Sequence, residues 1–372
     1  MIDFTFTQGS LALALYCTLF YALLIIPNYR TCTDTYSDDV HSNNARFIFF
    51  LGVLVYSVSC SINGDFYHYQ DIVKNYDFTP GARNHGEVVY KYIIAFVNKN
   101  YLLFRIIVWG SALVIFWKTL KRFEIDNYKV TFFMVATYIL VFSYARSSLA
   151  MSLYFFGVSY IIKPNTYFSY IYGLTLILAS FFFHHSIIVA IVLTPIIWIN
   201  LTKEKIIIVT ILFSIILFLF PNFIENTLLK FLLTNNEELY NQLDFYSKRE
   251  VESINWKGVI YEFSGYATFF FPLCVCVKTI YFNTEKCIEK EYEKIFRIVI
   301  GLTMIAMSFL LLDLQGKVFF YRILYMTFIP LSIIVCHLVN NGLIEENLFK
   351  KIINVGIFAQ MYRLLYSIYL YL

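Results

Sequence analysis

The most informative charge in the sequence is Arg146. In Tyr144-Ala145-Arg146-Ser147-Ser148-Leu149-Ala150 it interrupts an otherwise uncharged stretch from Thr131 to Ile162. An arginine in hydrocarbon costs roughly 2.5 to 3.5 kcal/mol at a helix centre and less toward an end, so it needs a partner or a ligand. Its planar, permanently charged fork matches the oxygens of a phosphate or diphosphate. Arg322, in Phe319-Phe320-Tyr321-Arg322-Ile323-Leu324-Tyr325, is a second such cation and follows the short turn Asp313-Leu314-Gln315-Gly316-Lys317. Two guanidiniums can divide the charge of a diphosphate, and an Asp313–Arg322 ion pair across the turn is the purely structural alternative. Arg105 and Arg363 are further charges within apolar segments, with no motif around them.

Carboxylates and imidazoles that could move a proton lie in two other places. The stretch Asn63-Gly64-Asp65-Phe66-Tyr67-His68-Tyr69 continues through Asp71, Asp77, Pro80, Arg83 and His85 to Glu87-Val88-Val89-Tyr90. Asp65 and Glu87, at the start and end of such a loop, can return to one pocket where burial and nearby cations set one of them as a general base. The second place is Phe183-His184-His185-Ser186. Adjacent residues on a helix point about 100° apart, so only one histidine faces a given pocket. Hydrogen bonding or proton transfer suits such a histidine better than metal binding, which needs a third and fourth ligand, and no metal site is expected.

The elements that position these residues are membrane helices. Of the 372 residues 59% are hydrophobic, 20% aromatic and 15% charged, against roughly a quarter charged in soluble domains, which excludes a water-soluble globular protein. Apolar stretches fall at 9–27, 47–62, 101–117, 130–145, 147–162, 167–183, 186–200, 206–221, 258–280, 296–312, 319–338 and 352–370. At about 20 residues per crossing they predict a single all-α polytopic transmembrane domain over 1–372 with about twelve helices. Ten or eleven follow if a pair merges or re-enters. The run from Gly9 has no basic residue before it and no small-x-small cleavage pattern after it, so it is expected to remain as the first span. Pro195, Pro272 and Pro330 predict local kinks.

Basic residues resist translocation, and their positions set the orientation. With both termini outside, Lys118, Lys121, Arg122 and Lys129 share one cytosolic loop and Lys278, Lys286, Lys290, Lys294 and Arg297 another. The two long loops, 63–100 and 222–257, then lie outside, together with the turns holding Arg146, His184 and His185, and Asp313 and Lys317. The unusual polar residues thus converge on one membrane face. A transporter more often holds its charges at the midplane between repeated halves, and no internal repeat is visible here. A net charge of +4 without long basic runs excludes nucleic acid as a partner. The seven cysteines form no disulfide framework or zinc pattern. Walker A, Rossmann, G-x-S-x-G and H-E-x-x-H motifs are absent.

The ordered set of short motifs resembles the bacterial polysaccharide polymerases of the Wzy type, in particular the EpsG-like branch. Asp65 to Tyr69, Glu87, Arg146 to Ala150, Phe183 to Ser186 and Arg322 to Tyr325 stand in that branch's order from about residue 60 to 330. Glu87 is not followed by the family's Pro or Gly, and the late Arg to Tyr spacing is loose. In the Phe-His-x-Ser pattern His184 holds the histidine position and His185 the variable one.

The resemblance implies a GT-C-like membrane glycosyltransferase of the bacterial plasma (inner) membrane, working on its external face. Such enzymes transfer the growing glycan from undecaprenyl diphosphate to the next lipid-linked repeat unit, with a possible chain-length regulator as partner. On this reading Arg146 and Arg322 bind the diphosphate. Asp65, Glu87 or His184 accepts the proton, and Tyr67, Tyr69, His185 and Tyr325 contact sugar. No cofactor is expected, and the arginines make a metal dispensable. An O-antigen ligase-type transferase and a lipid-linked oligosaccharide flippase or transporter are the competing readings.

Overall fold

The computed structural model describes residues 6–33, 43–59, 65–78, 88–139, 145–200, 202, 204–205, 256–282, 288–310 and 314–371. Every regular element among them is helical. In chain order these are α1 (Phe6–Ile25), α2 (Tyr29–Thr33), α3 (Asn43–Ser59), α4 (Asp65–Lys74), α5 (Val88–Phe96), α6 (Tyr101–Arg122), α7 (Asn127–Tyr138), α8 (Ala145–Ile162) and α9 (Tyr167–Phe181). After α10 (Ile188–Leu193) come α11 (Trp256–Val277), α12 (Lys290–Leu310), α13 (Leu314–Asn340) and α14 (Glu346–Tyr371). Tyr101–Arg122, Phe263–Phe282 and Ile323–Asn340 are long and apolar enough to cross a bilayer by length and composition. Shorter apolar helices cover Ala14–Ile25, Asn44–Ser59, Tyr167–Phe181 and His185–Trp198.

These helices meet the sequence expectation of a helical membrane protein, with informative departures. The apolar stretch 186–200 is not one helix. It is a 3₁₀ turn (His185–Ile187), α10 and a second 3₁₀ segment (Thr194–Trp198), with Pro195 where α10 stops. Proline lacks the amide hydrogen an α-helix needs and clashes with the preceding turn, which ends the α-helical geometry there. Within 63–100 the chain forms α4 and α5. The segments 206–221 and 222–255 lie outside the described residues.

Local signals explain where the helices begin. The Asn100 side chain accepts from the Leu103 amide at 3.1 Å and opens α6, and the Asp126 carboxylate accepts from the Tyr128 amide at 3.1 Å and opens α7. Each satisfies an amide left without a helical partner. Asn98 and Lys99 take left-handed φ of 48° and 59°, the tight reversal that turns α5 into α6.

Helix α7 is the hub, buried on every side from Tyr128 to Tyr138, as a helix apolar all round must be. Against it packs α14, where Gly356 lies so near Thr137 that an added methyl would fall 2.7 Å from Thr137 Cγ2. The α8–α9 crossing is similarly close, since a Cβ on Gly157 would meet the Gly173 carbonyl oxygen at 2.7 Å. Small residues that let backbones approach are the usual basis of helix association where no hydrophobic drive exists between helices. On the outer side of α9, Phe168, Ile171, Leu174 and Leu178 are exposed, an apolar stripe suited to lipid.

The two ends of the bundle differ. Where α6 and α8 finish and α7 begins, ion pairs gather: Arg46–Asp126 at 3.7 Å, Lys163–Glu291 at 2.9 Å, Lys163–Glu124 at 3.5 Å and Arg297–Glu293 at 2.6 Å. Arg122 donates to the Lys163 carbonyl at 2.7 Å, and Lys129 to Asn340 Oδ1 at 2.9 Å. Arginines stack on tyrosines there too, Arg122 on Tyr160 at 3.7 Å and Arg46 on Tyr128 at 5.5 Å, and toward the opposite end Arg105, Arg146 and Arg363 lie against Tyr101, Tyr69 and Tyr261.

Candidate functional site

The site begins at the first turn of α8. Arg146 is half-buried there, with its guanidinium carbon 4.0 Å from the Tyr69 ring centroid and 5.8 Å from that of Tyr90. Arg146 also donates to the Tyr69 hydroxyl, and the Tyr90 hydroxyl reaches the Arg146 carbonyl at 3.5 Å. Stacking over ring faces neutralises part of the desolvation of a guanidinium without removing its charge. Tyr69 comes from α4, Tyr90 from α5 and Arg146 from α8. The two helices of the first long loop therefore fold back onto the arginine that the sequence singles out.

The Phe-His-x-Ser turn closes the same cluster. Phe183 lies edge-on to Tyr90 at 6.3 Å between ring centroids, and Phe104 of α6 backs Tyr90 at 5.7 Å. His184 is half-buried in extended backbone at the start of the 3₁₀ turn, and its amide donates to the Ser180 carbonyl at 3.2 Å. His185 is exposed, with its ring 4.9 Å from that of Phe181. The two histidines therefore occupy different environments, as neighbours on a tight turn must.

The other expected residues separate into two groups. Asp65 begins α4, Tyr67 follows within it and Arg322 lies in α13, but the side chains of all three fall outside the described residues. Glu87, just before α5, lies outside them as well. Tyr325 lies 5.6 Å from the Tyr138 ring in T-shaped contact. Among the described residues no group of three or more His, Cys, Asp or Glu could hold a metal ion.

Three further residues acquire their partners only in the folded chain. Tyr90 joins the Arg146 cluster. Arg105, 3% exposed in α6, donates to the Ser57 carbonyl at 2.5 Å and to the Tyr101 hydroxyl at 3.3 Å. It thereby caps the end of α3, from which the chain runs to Asp65. Arg363, 5% exposed in α14, places its guanidinium carbon 4.6 Å from the Tyr261 ring centroid. Each of these arginines is the sole charge in its apolar segment, a signal visible in the sequence but without a partner to interpret it.

A membrane protein whose described residues form only helices, with Arg146 held among tyrosines of the first long loop, is the class that fold and site define. The family model described as the EpsG family matches residues 42–372, and the chain belongs to the EpsG family. Membership brings with it polysaccharide-polymerase-type function in general terms. No curated protein and no solved structure matches the chain.

Proposed function

We propose that the protein is a polysaccharide polymerase that transfers a growing glycan from undecaprenyl diphosphate to a sugar hydroxyl of the next lipid-linked repeat unit, on the external face of the bacterial plasma membrane. The observation that carries this reading is the meeting of Tyr69, Arg146 and Phe183 in one cluster. Three motifs far apart in sequence, each expected to touch substrate, share one end of the bundle.

In the reaction the acceptor hydroxyl oxygen attacks the anomeric carbon of the donor sugar. The bond from that carbon to the diphosphate oxygen breaks, and undecaprenyl diphosphate leaves with the bonding pair. Arg146, assisted by Arg322, stabilises the charge that develops on the leaving group. Fixed donors aimed at developing charge are commonly the largest single contribution to such catalysis. The acceptor proton passes to Asp65, Glu87 or His184, and Tyr67, Tyr69, His185 and Tyr325 supply ring surface and hydroxyls for sugar. The guanidinium is already seated on Tyr69, so little reorganisation accompanies bond breaking.

The test is a reaction of purified protein with one lipid-linked repeat unit in the presence of EDTA, with products resolved on a gel. A ladder is expected, and Arg146→Lys should reduce it by about 10²- to 10³-fold, the scale for losing one preorganised donor, because lysine keeps the charge and loses the fork. Intact substrate with folded protein and no ladder would overturn the polymerase reading. Transfer to a lipid A core acceptor would then indicate a ligase, and movement of unreacted substrate across vesicles a flippase.

A further inference from the structure

The end of α3 is held by a charge from another helix. Ser57 lies in the last turn of α3, where carbonyls have no partner within their own helix. Arg105 Nη2 donates to the Ser57 carbonyl at 2.5 Å across 48 positions of sequence, and its Nη1 donates to the Tyr101 hydroxyl at 3.3 Å. Such a carbonyl needs a donor wherever water is excluded, and a cation there also meets the negative end of the helix dipole. A glycine or a local lysine would end α3 as well, but neither would tie it to α6. Arg105 is 3% exposed, so the tie lies inside the bundle.

Helix α6 is the support that the site shares. Helices α3, α4 and α8 all pack against it; the first leads to Asp65, the second carries Tyr69 and the third Arg146. Because α3 ends at Ser59 and α4 begins at Asp65, a short link passes the position of one helix to the other. A second route runs through rings. Tyr101, whose hydroxyl receives Arg105, stacks on Phe104 at 6.3 Å between centroids. Phe104 backs Tyr90 at 5.7 Å, and the Tyr90 centroid is 5.8 Å from the Arg146 guanidinium carbon. Tyr101, Phe104 and Tyr90 are all buried, so a shift at Arg105 is transmitted through close-packed neighbours and not absorbed by solvent.

We infer that Arg105 is a positioning residue for the transfer reaction: by fixing the end of α3 on α6 it holds Tyr69 and Tyr90 against Arg146 and sets where α4, with Asp65 at its start, meets the donor. This rests on the polymerase reading above. The fork is the property that matters, since one planar group meets two acceptors at once, whereas a lysine keeps the charge and loses the fixed geometry.

The experiment measures initial rates of ladder formation by purified full-length protein over a range of lipid-linked repeat unit, with equal amounts of folded protein in each sample. Arg105→Gln is expected to lower kcat by about 10²-fold, the scale of a misplacement of about 1 Å, with KM within about threefold of wild type. Arg105→Lys, which restores the charge at the end of α3, should recover part of that loss. Tyr101→Phe keeps the ring stack and deletes one acceptor, so it reads the same tie should Arg105→Gln fail to fold; its kcat should fall about three- to tenfold. Adding Tyr69→Ala to Arg105→Lys should cost less than the product of the two single losses, because both act on one contact. Hydrogen exchange gives a readout without substrate. Amides of α4 should exchange faster in Arg105→Lys while those of α11 to α14 keep their protection.

An unchanged rate in the folded Arg105 and Tyr101 variants, a rise in KM alone, single losses that multiply, or faster exchange across the whole bundle would each overturn this role while leaving the polymerase reading intact. A wild type that forms no ladder would remove both.

Discussion

Arg146 illustrates how much of one residue's role is legible before folding. Its charge, isolated in apolar sequence, demands a partner, but nothing in the sequence says that Tyr69, 77 positions away, supplies it. The ring and the hydroxyl of Tyr69 make separable contributions. A cation–π contact is worth about 0.5 to 2 kcal/mol, so Tyr69→Ala should lower polymer yield by about tenfold, with Tyr69→Phe falling between it and wild type. A ladder assay on the two variants checks the order. The histidine pair separates in the same way. Loss of a proton-transfer group costs about 10²- to 10⁴-fold, which is expected for His184→Ala if it is the base, whereas exposed His185→Ala should lose less than about threefold by the same reasoning. Equal losses at the two positions would leave Asp65 or Glu87 as the base.

At the scale of elements, periodicity and hydropathy locate the helices but not their closest approaches. The α8–α9 crossing rests on Gly157 and Gly173, whose backbones nearly touch. Overfilling a packed contact costs about 1 to 3 kcal/mol. Gly157→Ala should accordingly lower the thermal midpoint in detergent, and Gly110→Ala provides the contrast. Nothing lies within 4 Å of a Cβ on Gly110, so there the gain in helix propensity, about 1 kcal/mol, should leave stability equal or higher. The same physics explains the broken span at 185–198: its apolar character is plain in sequence, but α10 ends where Pro195 removes a donor and sterically blocks the preceding turn.

The whole molecule separates its charges by end. Ion pairs such as Lys163–Glu291 hold one end together, and exposed or half-exposed pairs of this kind are worth at most about 1 kcal/mol each. Lys163→Gln should therefore shift the unfolding midpoint only slightly and leave polymer length unchanged. The end that holds Arg146 is the one the sequence orients outward, through the positive-inside rule. An alkaline phosphatase fused after Leu372 is expected to be active and a green fluorescent protein in the same place dark. The reverse result would turn the site toward the cytosol and remove the polymerase reading with it.

Composition, periodicity and loop charge by themselves determined that this is a helical membrane protein, which residues are too polar for their surroundings, and, through the order of five short motifs, its family. They could do so because each depends on neighbours within a turn or two, or on transfer from water to lipid, which acts residue by residue. Only the tertiary structure decided that Tyr69, Tyr90 and Phe183 converge on Arg146, that Tyr325 packs on Tyr138, and that α7 lies at the centre. Those pairings join segments tens to hundreds of residues apart. They depend on helix crossings set by glycine contacts and ring packing, which a linear pattern of apolar residues does not encode.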